Sequence, residues 1–162
     1  GGFNNNFTCG RFNLNVFFQW SYGNDVMNAN RIYLEGNQTN RPALNQFKSY
    51  ADRWTPENSD SKMFRAGGQG PVGFYSSRTL EDGSFLRLKT LQLSYNLSAR
   101  ACRYIGVQNL SVYVSGQNLF TWTDYSGMDP EVSVRNSALT PGFDYSAYPR
   151  SRTYVFGVKV TF

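Results

Sequence analysis

The sequence predicts an all-β protein of the antiparallel, up-and-down transmembrane β-barrel type. Apolar and polar residues alternate at period two through most of the chain, and several alternating stretches are about ten residues long. Short and long connections follow one another between these stretches. A tilted strand of about ten residues with one apolar face can cross a bilayer, and outer-membrane barrels have short turns on one side and long loops on the other. The three observations together favour a barrel segment.

Five strands account for the alternation. In the second, the side chains of Phe12, Leu14, Val16, Phe18, Trp20 and Tyr22 share one face, while Asn13, Asn15, Gln19 and Ser21 share the other. The first strand, in which Phe3 and Phe7 flank asparagines, has the weakest pattern. We expect the strands over about residues 1-8, 12-22, 84-97, 109-122 and 152-162.

The two long connections, about 23-82 and 123-150, are polar and are expected to be extracellular loops carrying short helices. The spacing of Val26, Ala29, Ile32 and Tyr33 predicts one helix, capped by Asn24 or Asp25 and stopped by Gly36. A second is expected in "RPALNQFKSYADRW", with Pro42 in its first turn.

The third strand contains a change of phase. Leu86 and Leu88 occupy even positions, whereas Leu91 and Leu93 occupy odd ones. Either a β-bulge near Lys89 and Thr90 resets the register, or the strand projects beyond the lipid at this point. If the bulge exists, Arg87 and Lys89 face the lumen.

Aromatic residues cluster near the predicted strand ends. Because successive strands run in opposite directions, aromatic residues from three different strands are expected at the same, outer interface. These six are Trp20, Tyr22, Phe120, Trp122, Tyr154 and Phe156, while Phe12 and Tyr95 are expected at the opposite interface. The predicted interface aromatics are Phe12, Trp20, Tyr22, Tyr95, Phe120, Trp122, Tyr154 and Phe156.

Composition argues against several classes of function. The chain of 162 residues has no histidine, so the commonest general base and metal ligand is missing, and we predict neither an enzyme nor a cofactor. Its net charge of +5 is scattered, which disfavours nucleic-acid binding. Acidic residues near Glu57 and Asp129 lack the spacing of a calcium loop, and no metal site is predicted. Cys9 and Cys102 are expected to be unpaired thiols, with a disulfide between them as the alternative.

Longer strings of the sequence carry a family resemblance. "VFFQWSYGNDVMNANR", "RWTPEN", "DGSFLRLKTLQLSYNL", "VYVSGQNLFTWTDYSGMDPEV" and "GFDYSAYPRSRTYVFGVKVTF" resemble, in this order, the C-terminal end of SusC/RagA-family TonB-dependent transporters. The cysteines in "TCGR" and "ARACRY" depart from the family pattern. The chain is therefore expected to be a piece of a longer protein.

The resemblance implies a 22-stranded barrel, of which this chain would supply about five strands, with a plug domain that is absent here. It implies multi-pass residence in the cell outer membrane and TonB-dependent uptake of glycans, oligosaccharides or peptides, together with a SusD-like surface lipoprotein. The TonB complex would act through the missing N-terminal part. The resemblance also implies a barrel-assembly signal in Gly157, Val160 and Phe162, although Val155 stands where a polar residue is more usual.

Two sets of loop residues are candidate contacts. The aromatic side chains of Trp54, Tyr125, Tyr145 and Tyr148 suit sugar rings or peptide side chains, with loop packing or contact with the lipoprotein as the alternatives. Arg150 and Arg152 suit lipopolysaccharide phosphates, with a solvated rim as the alternative.

Other functional classes remain as alternatives. A secreted carbohydrate-binding β-sandwich would also be rich in strands and aromatic residues, but it would need a second apolar sheet to cover the first. A passive porin fits the alternation but has no support from the longer strings. Extraction distinguishes the sandwich, because it would be soluble without detergent.

Overall fold

The computed structural model describes residues 1–35, 43–65, 76–133 and 141–162. The chain divides into two compact units. The sheet unit comprises Gly1–Gly23, Ser84–Asp124 and Pro149–Phe162, and the loop unit comprises Asn24–Gly83 and Tyr125–Tyr148.

The sheet unit is one five-stranded antiparallel sheet. Its strands, numbered in chain order across both units, are β1 (Gly2–Cys9), β2 (Phe12–Ser21), β5 (Phe85–Asn96), β6 (Asn109–Thr123) and β8 (Thr153–Thr161). They pair in the order β1-β2-β5-β6-β8, so that strands consecutive within the unit are neighbours. This arrangement confirms the predicted antiparallel all-β class, and each strand end lies within one residue of the expected bound.

β-Bulges resolve the change of phase in β5. Phe17 pairs with Thr90 and Phe18 pairs with Leu88, which leaves Lys89 as an extra residue opposite β2. On the other side, Leu88 pairs with Phe120 and Thr90 with Gln117, so β6 in turn has an extra residue opposite β5. Asn118, within this second bulge, has φ 53°. Of the two expectations, the bulge is the one observed.

The register divides the side chains of the sheet between two faces. Directly paired residues point the same way, and alternation sends their neighbours to the other side. Leu14, Leu93, Val114 and Phe156 therefore lie on one face. Trp20 shares this face of β2 with Leu14, so its partner Leu86 lies there too, although Leu86 and Leu93 belong to stretches of opposite numerical phase. We name this the apolar sheet face and the opposite side the polar sheet face.

The loop unit has a small sheet and a core of its own. Its elements are β3 (Asp25–Asn28), α1 (Asn30–Leu34), 3-10 turns at Lys48–Asp52 and Ser77–Thr79, β4 (Leu80–Asp82) and β7 (Phe143–Asp144). β3 is central, antiparallel to β4 and parallel to β7. Val26, Tyr125 and Val132 form a buried cluster against which Ala147 packs.

The predicted first helix is wrong over its N-terminal half. Asp25–Asn28 is a strand, because Val26 is buried in the loop-unit core while the backbone of this segment pairs with β4 and β7. Only Asn30–Leu34 is helical, and its N-cap residue is Ala29, which makes no side-chain capping bond. The expected stop at Gly36 lies outside the described residues.

The second predicted helix is reduced to the 3-10 turn Lys48–Asp52. Its expected first-turn residue, Pro42, lies outside the described residues. One further helix, α2 (Ala99–Tyr104), connects β5 to β6 in the sheet unit. Within the described ranges, no helix is long and apolar enough to span a membrane.

Candidate functional site

The apolar sheet face is the first candidate surface. Val114, in the middle of β6, has 37% of its surface exposed, and Phe156, its partner in β8, has 79% exposed. Val158 is also exposed and Phe18 is half-buried. In the part of the chain that the structure describes, no second layer buries this face. A continuous exposed apolar surface of this kind marks contact with lipid or with another protein.

The predicted interface aromatics occupy several levels of this sheet. At one end, Phe12 pairs with Tyr95 and their ring centroids are 4.7 Å apart. At the other end, Trp20 and Trp122 both pair with Leu86, and Phe120 stacks on Trp122 at 6.1 Å.

The remaining interface aromatics are placed differently. Tyr22 follows β2 and is exposed. Tyr154 and Phe156 pair with Gly116 and Val114, nearer the middle of β6 than Phe120 and Trp122 are. The six aromatic residues predicted at the outer interface therefore do not lie in one row of paired residues across the sheet. They could lie at the same depth in a membrane only if the strands are tilted, as they are in barrels.

The polar sheet face is lined largely by amides and hydroxyls. The Asn15 amide donates to the side-chain oxygens of Asn4 at 2.8 Å and Asn6 at 2.6 Å, and the Thr8 hydroxyl donates to Asn13 at 2.9 Å. Arg87 is on this face, is 2% exposed and has its guanidinium carbon 5.3 Å from the centroid of the Phe85 ring. Its position agrees with the lumen-facing expectation that followed from a bulge.

The predicted assembly-signal residues lie in or beside β8. Gly157 pairs with Tyr113 on the polar sheet face, and a Cβ built at Gly157 would lie 2.3 Å from the Tyr113 ring. Val160 pairs with Leu110, and Phe162 follows the strand with 85% of its surface exposed. Gly157 therefore has a packing role in this sheet, because the Tyr113 ring lies over it.

A carboxylate that the sequence pattern did not single out organises the loop unit. Glu81 in β4 accepts hydrogen bonds from the Asn28 amide at 3.1 Å, from the Arg31 guanidinium at 3.1 Å and from both the backbone N–H and the hydroxyl of Ser126 at 2.9 Å. Burial by itself would raise the pKa of Glu81, but these donors outweigh it and the pKa lies below its usual value of 4.5. Glu81 thus joins β3, α1 and the segment after residue 124.

A second carboxylate extends this polar network. Glu35 pairs with Arg31 at 3.1 Å and with Arg78 at 3.2 Å. Arg78 also lies over the Phe64 ring, 4.8 Å from its centroid. No sequence signal marked these partners, because the residues are up to some fifty positions apart and each looks like an ordinary loop charge.

Tyr125 is not the surface contact that the sequence suggested. It is 5% exposed, and its hydroxyl donates to the Asp144 carboxylate at 2.6 Å. Burial, reinforced by the Asp144 carboxylate, raises the pKa of Tyr125, so the hydroxyl stays protonated. The alternative interpretation, loop packing, is the one observed for this residue.

The other loop candidates remain accessible. Trp54 is exposed, Tyr148 is 90% exposed, and Tyr145 packs on Tyr33 with centroids 5.1 Å apart. Arg152 in the sheet unit lies 5.7 Å from the centroid of the Phe120 ring. The four aromatic candidates do not form one accessible surface, because Tyr125 is buried.

Charge is divided unevenly between the two units. Asp124 is the only acidic residue in the sequence of the sheet unit, which carries eight cationic residues. They are Arg11, Arg87, Lys89, Arg100, Arg103, Arg150, Arg152 and Lys159. The other ten acidic residues of the chain belong to the loop unit. The overall net charge of +5 conceals this separation.

The sheet defines the class of protein. Long strands pair in consecutive antiparallel order, one face is apolar and not covered by a second layer of the described residues, and the other face is polar, which is the construction of a transmembrane β-barrel wall. The chain is a segment of such a barrel.

Comparison with known proteins gives the family. TonB-dependent receptor P26 of Formosa agariphila is 38% identical over 99% of this chain, and the TonB-dependent receptor SusC of Bacteroides thetaiotaomicron is 30% identical over 65% of it. The RagAB peptide importer, solved in closed-closed and open-open states, superimposes on the whole chain with a TM-score of 0.84 and 28% identity. The chain belongs to the SusC/RagA-type TonB-dependent receptors, as its sequence strings predict.

The relationship covers only a portion of each relative. The chain spans 16% of the length of receptor P26, 10% of SusC and 17% of the RagAB chain. No family model matches the chain. The relatives are receptors and transporters and not enzymes, as the sequence predicts.

Proposed function

We propose that this chain is the C-terminal barrel portion of an outer-membrane nutrient importer. The observation that carries the proposal is the exposed apolar sheet face. A sheet with one apolar face and one polar face is what separates lipid from a solvated lumen in a β-barrel. Similarity to SusC and to a peptide importer supports uptake as the activity.

The proposed mechanism is gated passage and not chemistry. The amides and hydroxyls of the polar sheet face line the passage, and the long connections, about 23-82 and 123-150, are extracellular loops. Energy comes through the TonB complex acting on a plug domain that this segment does not include. Glycans, oligosaccharides or peptides are the cargo, and a SusD-like surface lipoprotein is the partner. Trp54, Tyr145 and Tyr148 keep accessible aromatic surface for contact with cargo or partner.

Three further roles belong to the same proposal. The interface aromatics hold the sheet at the two membrane boundaries. Gly157, Val160 and Phe162 act in barrel assembly. Arg150 and Arg152 meet lipopolysaccharide phosphates, consistent with the excess of cations in the sheet unit.

Uptake by intact cells tests the proposal. A strain lacking the receptor that contains this segment should lose accumulation of labelled oligosaccharides or peptides, and the receptor gene should restore it. A protonophore, which removes the energy that TonB transmits, should abolish uptake in the complemented strain. Recovery of the receptor in a soluble fraction without detergent would favour the β-sandwich alternative, and uptake that persists with the protonophore would favour a passive porin.

A further inference from the structure

The short connection between β5 and β6 forms a groove. Helix α2 and its flanking residues form an open groove of about 800 Å³. Its lining includes Leu97, Arg100, Arg103, Tyr104 and Ile105. The Ser98 hydroxyl accepts from the Ala101 N–H at 3.1 Å and caps the helix. Buried Cys102, which is 1% exposed, anchors it. The groove is therefore part of an ordered element.

The apolar part of the lining is exposed and continues the apolar sheet face. Tyr104 is 91% exposed and Ile105 is 53% exposed. Leu97 follows β5 in the alternation of Leu93 and Tyr95, and its N–H donates to the Leu110 carbonyl at 2.9 Å. Leu97 thus links the surface that we propose to meet lipid with the lining of this groove.

The charged part of the lining is cationic and has no acidic neighbour in sequence. Arg100 and Arg103 are three residues apart on α2, a spacing that places two side chains on one side of a helix. No Asp or Glu occurs in the sequence from Ser84 to Thr123. Two guanidinium groups in the lining of one groove suit a phosphate group.

We propose that this groove binds an anionic phospholipid, with the phosphate on Arg100 and Arg103 and the acyl chains against Leu97, Tyr104 and Ile105. The inference rests on the proposed function, because it needs the apolar sheet face to lie in a bilayer. The occupant follows from charge complementarity and from continuity of the groove with the lipid-facing surface. Short connections of outer-membrane barrels face the periplasm, so the lipid belongs to the periplasmic leaflet.

Lipid binding by the intact receptor tests this site. The receptor would be placed in nanodiscs containing phosphatidylcholine with increasing phosphatidylglycerol, and bound lipid would be measured by native mass spectrometry after gentle detergent release. Arg100→Gln/Arg103→Gln should weaken retention of phosphatidylglycerol about thirtyfold, because each of the two cations beside anionic lipid contributes on the order of 1 kcal/mol and every 1.4 kcal/mol is tenfold in affinity. Tyr104→Ser/Ile105→Ser should also weaken retention. Soluble glycerol phosphate, which lacks acyl chains, should not compete.

Arg11→Gln/Lys159→Gln is the matched control. It removes the same charge at the same end of the sheet, where the Asn96 N–H donates to the Arg11 carbonyl and Asn109 pairs with Thr161, but neither residue lines the groove. The control should retain phosphatidylglycerol within about twofold of wild type. Equal loss in both double variants, no loss in the groove variant, or competition by glycerol phosphate would each overturn the site. A receptor absent from the outer-membrane fraction would instead count against the proposed function.

Discussion

At the scale of single residues, the packing of the folded chain determines which side chains are accessible, and the residue type alone does not. Tyr125 and Tyr148 are alike in sequence as loop tyrosines, yet one is buried against Asp144 and the other is exposed. Glu81 resembles any loop carboxylate until β3, α1 and Ser126 are brought around it. Period-two alternation predicts which side of a strand a residue occupies, but no pattern predicts such long-range partners.

Gly157 offers a direct test of packing in the sheet. Gly157→Ala should destabilise the barrel by about 1 kcal/mol, the low end of overpacking costs, because its Cβ would displace the outer edge of the half-buried Tyr113 ring. The effect should be much smaller in a Tyr113→Ala background, where the ring is gone. The measurement is the temperature at which the folded receptor loses its heat-modifiable mobility on a denaturing gel. An equal loss in both backgrounds would mean that the ring is not the cause.

Glu81 predicts a dependence of the loop unit on pH. Because its folded pKa is below 4.5, its contribution to stability is present above the unfolded pKa and is lost as pH falls through the folded value. Digestion of the intact receptor by an acid protease, between about pH 6 and pH 3, should show the loop unit losing protection below the unfolded pKa. Glu81→Gln should lower protection already at the upper end of this pH range and flatten the change.

Glu57→Gln serves as the control for this experiment. Glu57 is an exposed carboxylate of the same unit, so its replacement should leave the digestion profile close to that of wild type. If the Glu81 and Glu57 variants behave alike, the hydrogen-bond network does not hold the unit together.

At the scale of elements, strands were predictable and short helices were not. An alternating stretch of about ten residues contains many positions that all indicate a strand. The observed bounds of β2 and β6 therefore lie close to the expected ones. The helical spacing around Val26 rested on four residues, and tertiary pairing with β4 and β7 made its first half a strand. A bulge was one of two ways to explain the phase change in β5, and only the register distinguished them.

The bulge predicts which β5 side chains share a side. Spin labels at Leu88→Cys and Leu91→Cys should both be relaxed by oxygen, which partitions into lipid, because the bulge keeps both residues on the apolar sheet face. Labels at Thr90→Cys and Gln92→Cys should respond to a polar nickel chelate. A Cys9→Ser/Cys102→Ser background removes the native thiols. Opposite responses at positions 88 and 91 would mean regular alternation and no bulge.

At the scale of the whole molecule, the sequence pattern predicted a transmembrane β-barrel sheet. It did not predict how charge is distributed between the two units or which structure the long loops adopt. Alternation and strand length together favour lipid on one side, because no second apolar layer covers the sheet in the described part of the chain. The folding of the loop unit around Val26 and Tyr125 could not be predicted, since it depends on contacts between segments about a hundred residues apart.

The measurement that tests the central claim most directly compares arginine substitutions at two valines of the intact receptor. Val114 and Val155 have nearly the same exposure, 37% and 38%, and lie in neighbouring rows of β6 and β8, but they face opposite sides of the sheet. Val114→Arg should reduce the free energy of unfolding in lipid by about 2–4 kcal/mol, whereas Val155→Arg should change it by less than about 1 kcal/mol. Equal costs, or a larger cost at Val155, would contradict the assignment of the apolar sheet face to the bilayer.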